Sequence, residues 1–302
     1  MFGIGKKVTV GLALGGGGAK GFAHLGVLRV LEANKIPIQI ITGTSAGSIA
    51  GAMYAQLGNI DAVEKRMKDL GESNFFKKSK LDLMVPPKEW ERQKLIQRIT
   101  YFVKQQFILS RSFTRISFFG SEVLEEAFSI LLDDTDIRDT KIPFGAVTVD
   151  YLSGERVLLT EGSIRKAVAA SCTIPGIFPP VSWDAMKLID GGVISLVPVV
   201  EAKEMGANFL IGVDVAPGIK EELDIQNALE LMFRADEITG YHLNEWHLKE
   251  ADVIIHPDLG RINWADFKNG DTMIRIGMET AEEKMFELRK KLKRKRLHHR
   301  LI

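Results

Sequence analysis

The sequence predicts an α/β fold with a mostly parallel central sheet and helices on both faces, and three observations carry that expectation. The run Val8 to Leu14 is almost continuously apolar, as a strand buried on both faces requires, and a glycine turn then leads into helical spacing at Leu25, Leu28 and Leu31. A second apolar run, Ile38 to Ile41, again meets a turn of small residues and a helical segment, Ala46 to Leu57. Farther on, apolar runs keep alternating with helical stretches, and that alternation packs most simply as parallel strands joined by crossover helices.

Taken in order, Val8 to Leu14 is the first strand and Phe22 to Ala33 the helix after it. Ile38 to Ile41 is the second strand, Ala46 to Leu57 its helix, and Asp61 to Leu70 a further helix. Later strands are expected at Phe144 to Val149, Val157 to Thr160, Leu188 to Ile189, Phe209 to Val213 and Val253 to Ile255, with helices between them. The stretch 71–117 differs: it shows no strand pattern, contains Pro86 and Pro87, and mixes aromatic residues with an excess of lysine and arginine. It is expected to be a helical insertion, either a cap able to meet anionic lipid or a solvated excursion with its own apolar face. The chain closes on a basic helix, about 272–302, whose Arg289, Lys290, Lys291, Lys293, Arg294, Lys295, Arg296 and Arg300 form a basic cluster with no acid among them. Neither an internal repeat nor a low-complexity linker interrupts the 302 residues, and a single domain is expected.

A formal net charge of +1 gives no global pull toward nucleic acid or an anionic membrane, so such a partner would need a local patch. The single cysteine, Cys172, excludes an intramolecular disulfide and fits a reducing compartment. Met1 to Ala19 begins like a signal peptide, but glycines and Lys20 break its apolar region. Ile36 to Ile60 is uncharged and long enough to span a bilayer, yet Pro37, Gln39, Thr42, Thr44, Ser45 and its glycines suit a strand, a tight turn and a helix instead. A cytoplasmic location is expected, with peripheral contact at the inner membrane surface as an option.

Two motifs carry chemistry. Gly43-Thr44-Ser45-Ala46-Gly47 is a G-x-S-x-G pentapeptide between a strand and a helix, where a serine on a tight turn presents its hydroxyl and small neighbours leave it open. Gly16-Gly17-Gly18-Ala19-Lys20-Gly21 places backbone N–H groups at a helix start, where developing negative charge can be held. Gly16, Gly18 and Gly21 also satisfy a dinucleotide fingerprint, but no Asp or Glu occurs from Ala33 to Ile60 to bind a ribose. A phosphate-loop NTPase fails because Gly21, not Ser or Thr, follows Lys20. No cluster of His, Cys, Asp and Glu has metal-ligand spacing, so neither metal nor cofactor is expected.

Of the six histidines, His298 and His299 lie in the basic tail and His242 and His247 on a surface helix. His24 reads as structural, which leaves His256, at the end of a strand, as the one triad base to consider. Asp190-Gly191-Gly192, after Met186 to Ile189, offers a carboxylate at a strand end instead. Lys20 reads as a solvated or phosphate-facing cation, and Cys172 as a small packed residue.

The glycine loop, the serine turn, the segment Ala170 to Pro180 and Asp190-Gly191-Gly192, in that order, resemble the bacterial patatin-like phospholipases. The likeness covers roughly residues 8–210, and Asp252 to Asp266 with the helix after it resembles the tail of bacterial members. The resemblance implies a three-layer fold and a lipid acyl hydrolase working through a serine and aspartate dyad. By position, Ser45 would be the nucleophile, Asp190 the general base, and the amides of Gly16, Gly17 and Gly18 the oxyanion hole. A base of this kind should be desolvated and unpaired with a cation, since an ordinary aspartate is too weak. Ser195 departs from the family, in which many members carry asparagine at that point. The implied partner is a lipid or lipid-like ester, with no nucleic acid; a non-catalytic membrane-surface or interaction protein on the same fold is the alternative.

Overall fold

The structure is a computed structural model that describes residues 7–75, 79, 116–219, 225, 228–260 and 262–301. Most of the expected insertion over 71–117 lies outside the described residues.

An eight-stranded sheet organises the chain. Its strands are β1 (Val10–Leu14), β2 (Ile40–Thr44), β3 (Phe144–Asp150), β4 (Arg156–Leu159), β5 (Val181–Trp183), β6 (Met186–Asp190), β7 (Phe209–Val213) and β8 (Val253–Ile255). They run β5-β6-β3-β2-β1-β7-β8, with β4 also paired to β3. The stretch from β3 to β8 is parallel, while β4, β5 and β6 pair antiparallel. Around the sheet lie α1 (Phe22–Ala33), α2 (Ala46–Leu57), α3 (Ile60–Glu72), α4 (Glu122–Leu131), α5 (Ile164–Ser171), α6 (Val199–Glu204), α7 (Ala228–Leu248) and α8 (Gly270–Leu301). Strands β1, β2, β3 and β7 are buried along their whole length.

Two differences from the sequence reading have local causes. β2 continues past Ile41 to Thr44 because its two threonines are buried and satisfied: Thr42 Oγ1 donates to Pro198 O at 2.7 Å and Thr44 Oγ1 to Ser195 O at 2.8 Å. The hydrophobic pattern stops there and the strand does not. β5 is three residues of mixed exposure, too short to show a period, and is formed by its antiparallel pairing with β6.

The register around β3 places the site. β4 shares Ala146 and Val147 with β2, and Thr148 and Val149 with β6. β4 therefore takes one edge of β3, and β2 and β6 follow each other along the other edge. β2 arrives at Thr44 opposite Val147, and β6 returns from the opposite direction to end at Asp190 opposite Thr148. The two strand ends meet head to head, so the residues that follow them are neighbours.

Helix α8 runs beside α1 from end to end. Gly270 lies against the Phe22 ring, at the end carrying the glycine loop. At the other end Arg289 Nη2 donates to Asn34 Oδ1 at 2.6 Å, Lys291 Nζ to Asp252 O at 2.9 Å, and Lys295 pairs with the Asp252 carboxylate at 3.1 Å. Asp252 precedes β8, so the basic end of α8 sits at the edge where the parallel strands begin, remote from the glycine loop.

Candidate active site

Ser45 sits between β2 and α2 with φ 53° and ψ −123°, a conformation a side-chain-bearing residue adopts only under constraint. The constraint is visible on both sides of the residue. Its N–H donates to Ser171 Oγ at 2.9 Å, and the Ser171 hydroxyl donates in turn to Val147 O of β3 at 2.7 Å. Its carbonyl accepts from the Ser48 N–H at 2.8 Å and from Ser48 Oγ at 2.7 Å, starting α2. Gly47 must lack a side chain, because a Cβ there would collide with the Leu14 carbonyl. The hydroxyl is thereby held at the start of a helix, where the backbone dipole favours negative charge.

Asp190 ends β6 and is 5% exposed. One carboxylate oxygen, Oδ1, accepts the Gly192 N–H at 2.8 Å, and the Asp190 N–H donates to Thr173 O at 3.0 Å. Burial pushes its pKa up to about 6; hydrogen bonds from the Ser45 hydroxyl and the Gly192 N–H pull the other way, and no cation among the described residues acts on it. Ser45 and Asp190 are thus brought together.

The glycine loop lies against the same point. A Cβ on Gly16 would sit 3.3 Å from that of Ser45. The Gly15 N–H donates to Val213 O at 3.0 Å, the Gly16 N–H to Leu196 O at 3.0 Å, and the Ala19 N–H to Trp264 O at 2.6 Å. The N–H groups of Gly17 and Gly18 have no acceptor among the described residues. Gly18 is in the left-handed region, φ 59°, with the Trp264 carbonyl where a Cβ would stand. Of the three glycines singled out from the sequence, Gly16 thus has its amide engaged, and Gly17 and Gly18 keep theirs available.

His24 supports the loop from α1. Its Nε2–H donates to Gly15 O at 2.7 Å, and full burial lowers its pKa to about 4, so the ring is neutral. Lys20 is buried and engaged, not solvated as the sequence suggested. Cys172 is buried with its thiol pushed up by burial, in keeping with a packed residue. His256 follows β8, three strands from β2, roughly 14 Å at the usual strand spacing, and faces Asp214 at 3.6 Å. It does not meet Ser45. Among the described residues no group of three or more His, Cys, Asp or Glu is placed to hold a metal.

Ser171 and Trp264 are the residues whose roles sequence reasoning missed. Ser171 lies inside the segment that carried the resemblance, yet only the backbone geometry reveals what its hydroxyl holds. Trp264 acts through its carbonyl, which no side-chain pattern could signal. Ser195 packs fully buried, gives its carbonyl to Thr44, and leaves its own Oγ without a partner.

The profile of the patatin-like phospholipases matches residues 12–203. The mouse "Patatin-like phospholipase domain-containing protein 6" is 29% identical over 261 residues, which cover 84% of this chain and 16% of the mouse protein. "Lysophospholipase NTE1" of Debaryomyces hansenii is 32% identical over 301 residues, covering 91% of this chain and 18% of that protein. The chain thus spans less than a fifth of the length of these relatives. Among solved structures, VipD from Legionella pneumophila aligns with a TM-score of 0.48 at 14% identity, over 92% of this chain and 66% of that one.

Proposed function

We propose, from the premise that the chain belongs to the patatin-like phospholipase family, that it hydrolyses the carboxylic esters of lipids through Ser45 and Asp190. The observation that carries this reading is the buried, cation-free Asp190 carboxylate, its pKa raised to about 6, against the hydroxyl of a strained serine. Ser45 Oγ attacks the ester carbonyl while Asp190 takes the hydroxyl proton. The tetrahedral oxyanion is held by the N–H groups of Gly17 and Gly18, with Gly16 fixing the loop through Leu196. Collapse expels the alcohol, which takes the proton back from Asp190. A water activated by the same carboxylate then frees the acid and regenerates Ser45. A base near 6 is matched to neutral pH: it is ionised there, yet basic enough to share the serine proton.

The test is hydrolysis of a short-chain chromogenic ester and of a lysophospholipid by the wild type, Ser45→Ala and Asp190→Asn, with folding checked by circular dichroism. Loss of both activities in both variants is expected, by ~10³-fold or more. Wild-type inertness toward every ester would favour a non-catalytic surface protein instead.

A further inference from the structure

A cavity of about 420 Å³ flanks the candidate active site on the side of β7 and β8. Buried Asp214, just past β7, and buried Asn244 of α7 form its floor, and exposed Asp236 and Glu245 of α7 stand at its rim. Leu196 belongs to both places. It lines the cavity, its carbonyl accepts the Gly16 N–H at 3.0 Å, and its side chain lies 3.1 Å from where a Cβ on Gly16 would be. Asp214 follows a strand two places from β2, so the cavity lies roughly 10 Å to the side of Ser45 at the usual strand spacing.

The floor is short of donors. Asn244, 4% exposed, gives its Nδ2–H to Asp214 Oδ2 at 3.1 Å, and its own Oδ1 is buried with no partner among the described residues. Asp214 accepts that bond and the Ala216 N–H at 3.0 Å, about half of what a carboxylate can take. A buried amide oxygen without a donor costs stability unless a ligand supplies one.

Charge points the same way. Of the four carboxylates in the lining, Glu237 is paired with Arg234 at 2.7 Å, while no lysine or arginine among the described residues pairs with Asp214, Asp236 or Glu245. The one base in the lining, His256, faces Asp214 at 3.6 Å and is charged only when protonated. The carboxylates do not converge on a metal, since among the described residues no group of three or more is placed to hold one. They fit an organic cation instead. The donor-poor floor asks for a cation with N–H groups: a primary ammonium has three and a quaternary ammonium none.

We propose that this cavity is the subsite for a primary ammonium group carried by the alcohol portion of the ester substrate. The assignment to substrate rests on the lipid-hydrolase reading; the cation site itself does not. The Asp214 carboxylate and Asn244 Oδ1 accept the N–H groups, the acidic rim meets the charge, and the connecting chain passes Leu196 toward Ser45. Hydrocarbon acyl chains carry no cation, which places the ammonium on the alcohol side.

Calorimetric titration of the full chain with hexylammonium tests the site without turnover, with hexanol and hexyltrimethylammonium as comparisons. Hexylammonium is expected to bind, hexyltrimethylammonium at least ~tenfold more weakly, and hexanol not measurably. Asp214→Asn should abolish binding, with folding checked by circular dichroism. Asp236→Asn combined with Glu245→Gln changes only exposed helix positions, and should weaken binding by ~3–10-fold, more at low salt than at high. In the reaction, 6-aminohexyl butyrate should be cleaved with a kcat/KM at least ~tenfold above that of hexyl butyrate, chiefly through KM, and both variants should lower that ratio. Hexylammonium binding with neither ester cleaved would sink the hydrolase reading and leave the cation site standing. The proposal is overturned if hexylammonium does not bind, if the quaternary ion binds as well, if the rim variant binds like the wild type, or if both esters are cleaved without preference.

Discussion

The two ends of the sheet are built on opposite principles. Where the parallel strands begin, charge is abundant and satisfied: Lys295 meets Asp252, Arg289 meets Asn34, and Lys291 pairs with Glu287 at 2.7 Å. Where they finish, among the described residues, one carboxylate is buried without a cation, one serine is strained, and two amides point at no acceptor. The crowded basic tail draws the eye in a sequence, yet the end proposed to be reactive is the one that leaves its chemistry unmet. Such groups cost stability and persist because the surrounding structure holds them.

The sharpest way to break this contrast is Asp190→Asn, which should abolish ester hydrolysis and yet stabilise the fold. Ionising Asp190 in the native state costs energy, because its folded pKa, about 6, lies above the unfolded value. The native state therefore binds more protons between about 4 and 6, and stability falls as pH rises through that window. Thermal melts at pH 7.5 should show Asp190→Asn above the wild type by roughly 1–3 kcal/mol. His24 has the opposite sign: its folded pKa is about 4, so its contribution is present above about 6.5 and lost as pH falls toward 4. The two slopes largely offset one another in the wild type, and the asparagine variant should expose that of His24. The wild-type kcat/KM should rise with pH through an apparent pKa near 6.

Next in size is Ser171→Ala. Without that hydroxyl the Ser45 N–H loses its acceptor, and the turn has one fewer constraint against relaxing. A fall in kcat of roughly 10–100-fold is expected, with KM little changed and the pH limb kept near 6, since Ser171 positions the nucleophile and exchanges no proton. Unchanged kcat would show that α2 and Gly47 hold the turn alone.

Smaller effects belong to the satisfied end. Lys295→Ala removes a half-exposed pair and should cost under ~1 kcal/mol, read by chemical denaturation, with no effect on ester hydrolysis. Smallest is Ser195→Ala. Its buried Oγ has no partner, so deleting it should leave stability within ~0.5 kcal/mol or raise it slightly.

Much of this architecture was legible because burial and period agree. β7, β8, α1 and α2 fall at the residues their apolar patterns mark, and the serine turn lies between β2 and α2 as its small residues require. β2 was read short because satisfied threonines look polar in a sequence. The head-to-head meeting of β2 and β6 was not legible, since it depends on β3 pairing with two strands in succession along one edge. Nor was the distinction among Gly16, Gly17 and Gly18, because identical residues differ only in where their amides point. Lys20 misled because a lysine is rarely buried, and nothing local announces the exception.

The Trp264 carbonyl that receives the Ala19 N–H gives the site a timetable. A nascent chain presents Ser45 early, but Asp190 comes 145 residues later. At roughly 5–20 residues per second, that is a wait of roughly 7 to 29 s. The acceptor that closes the glycine loop arrives later still. The Ser45 hydroxyl is therefore without its proposed base until Asp190 is made, and the glycine loop without its closing acceptor until Trp264 follows.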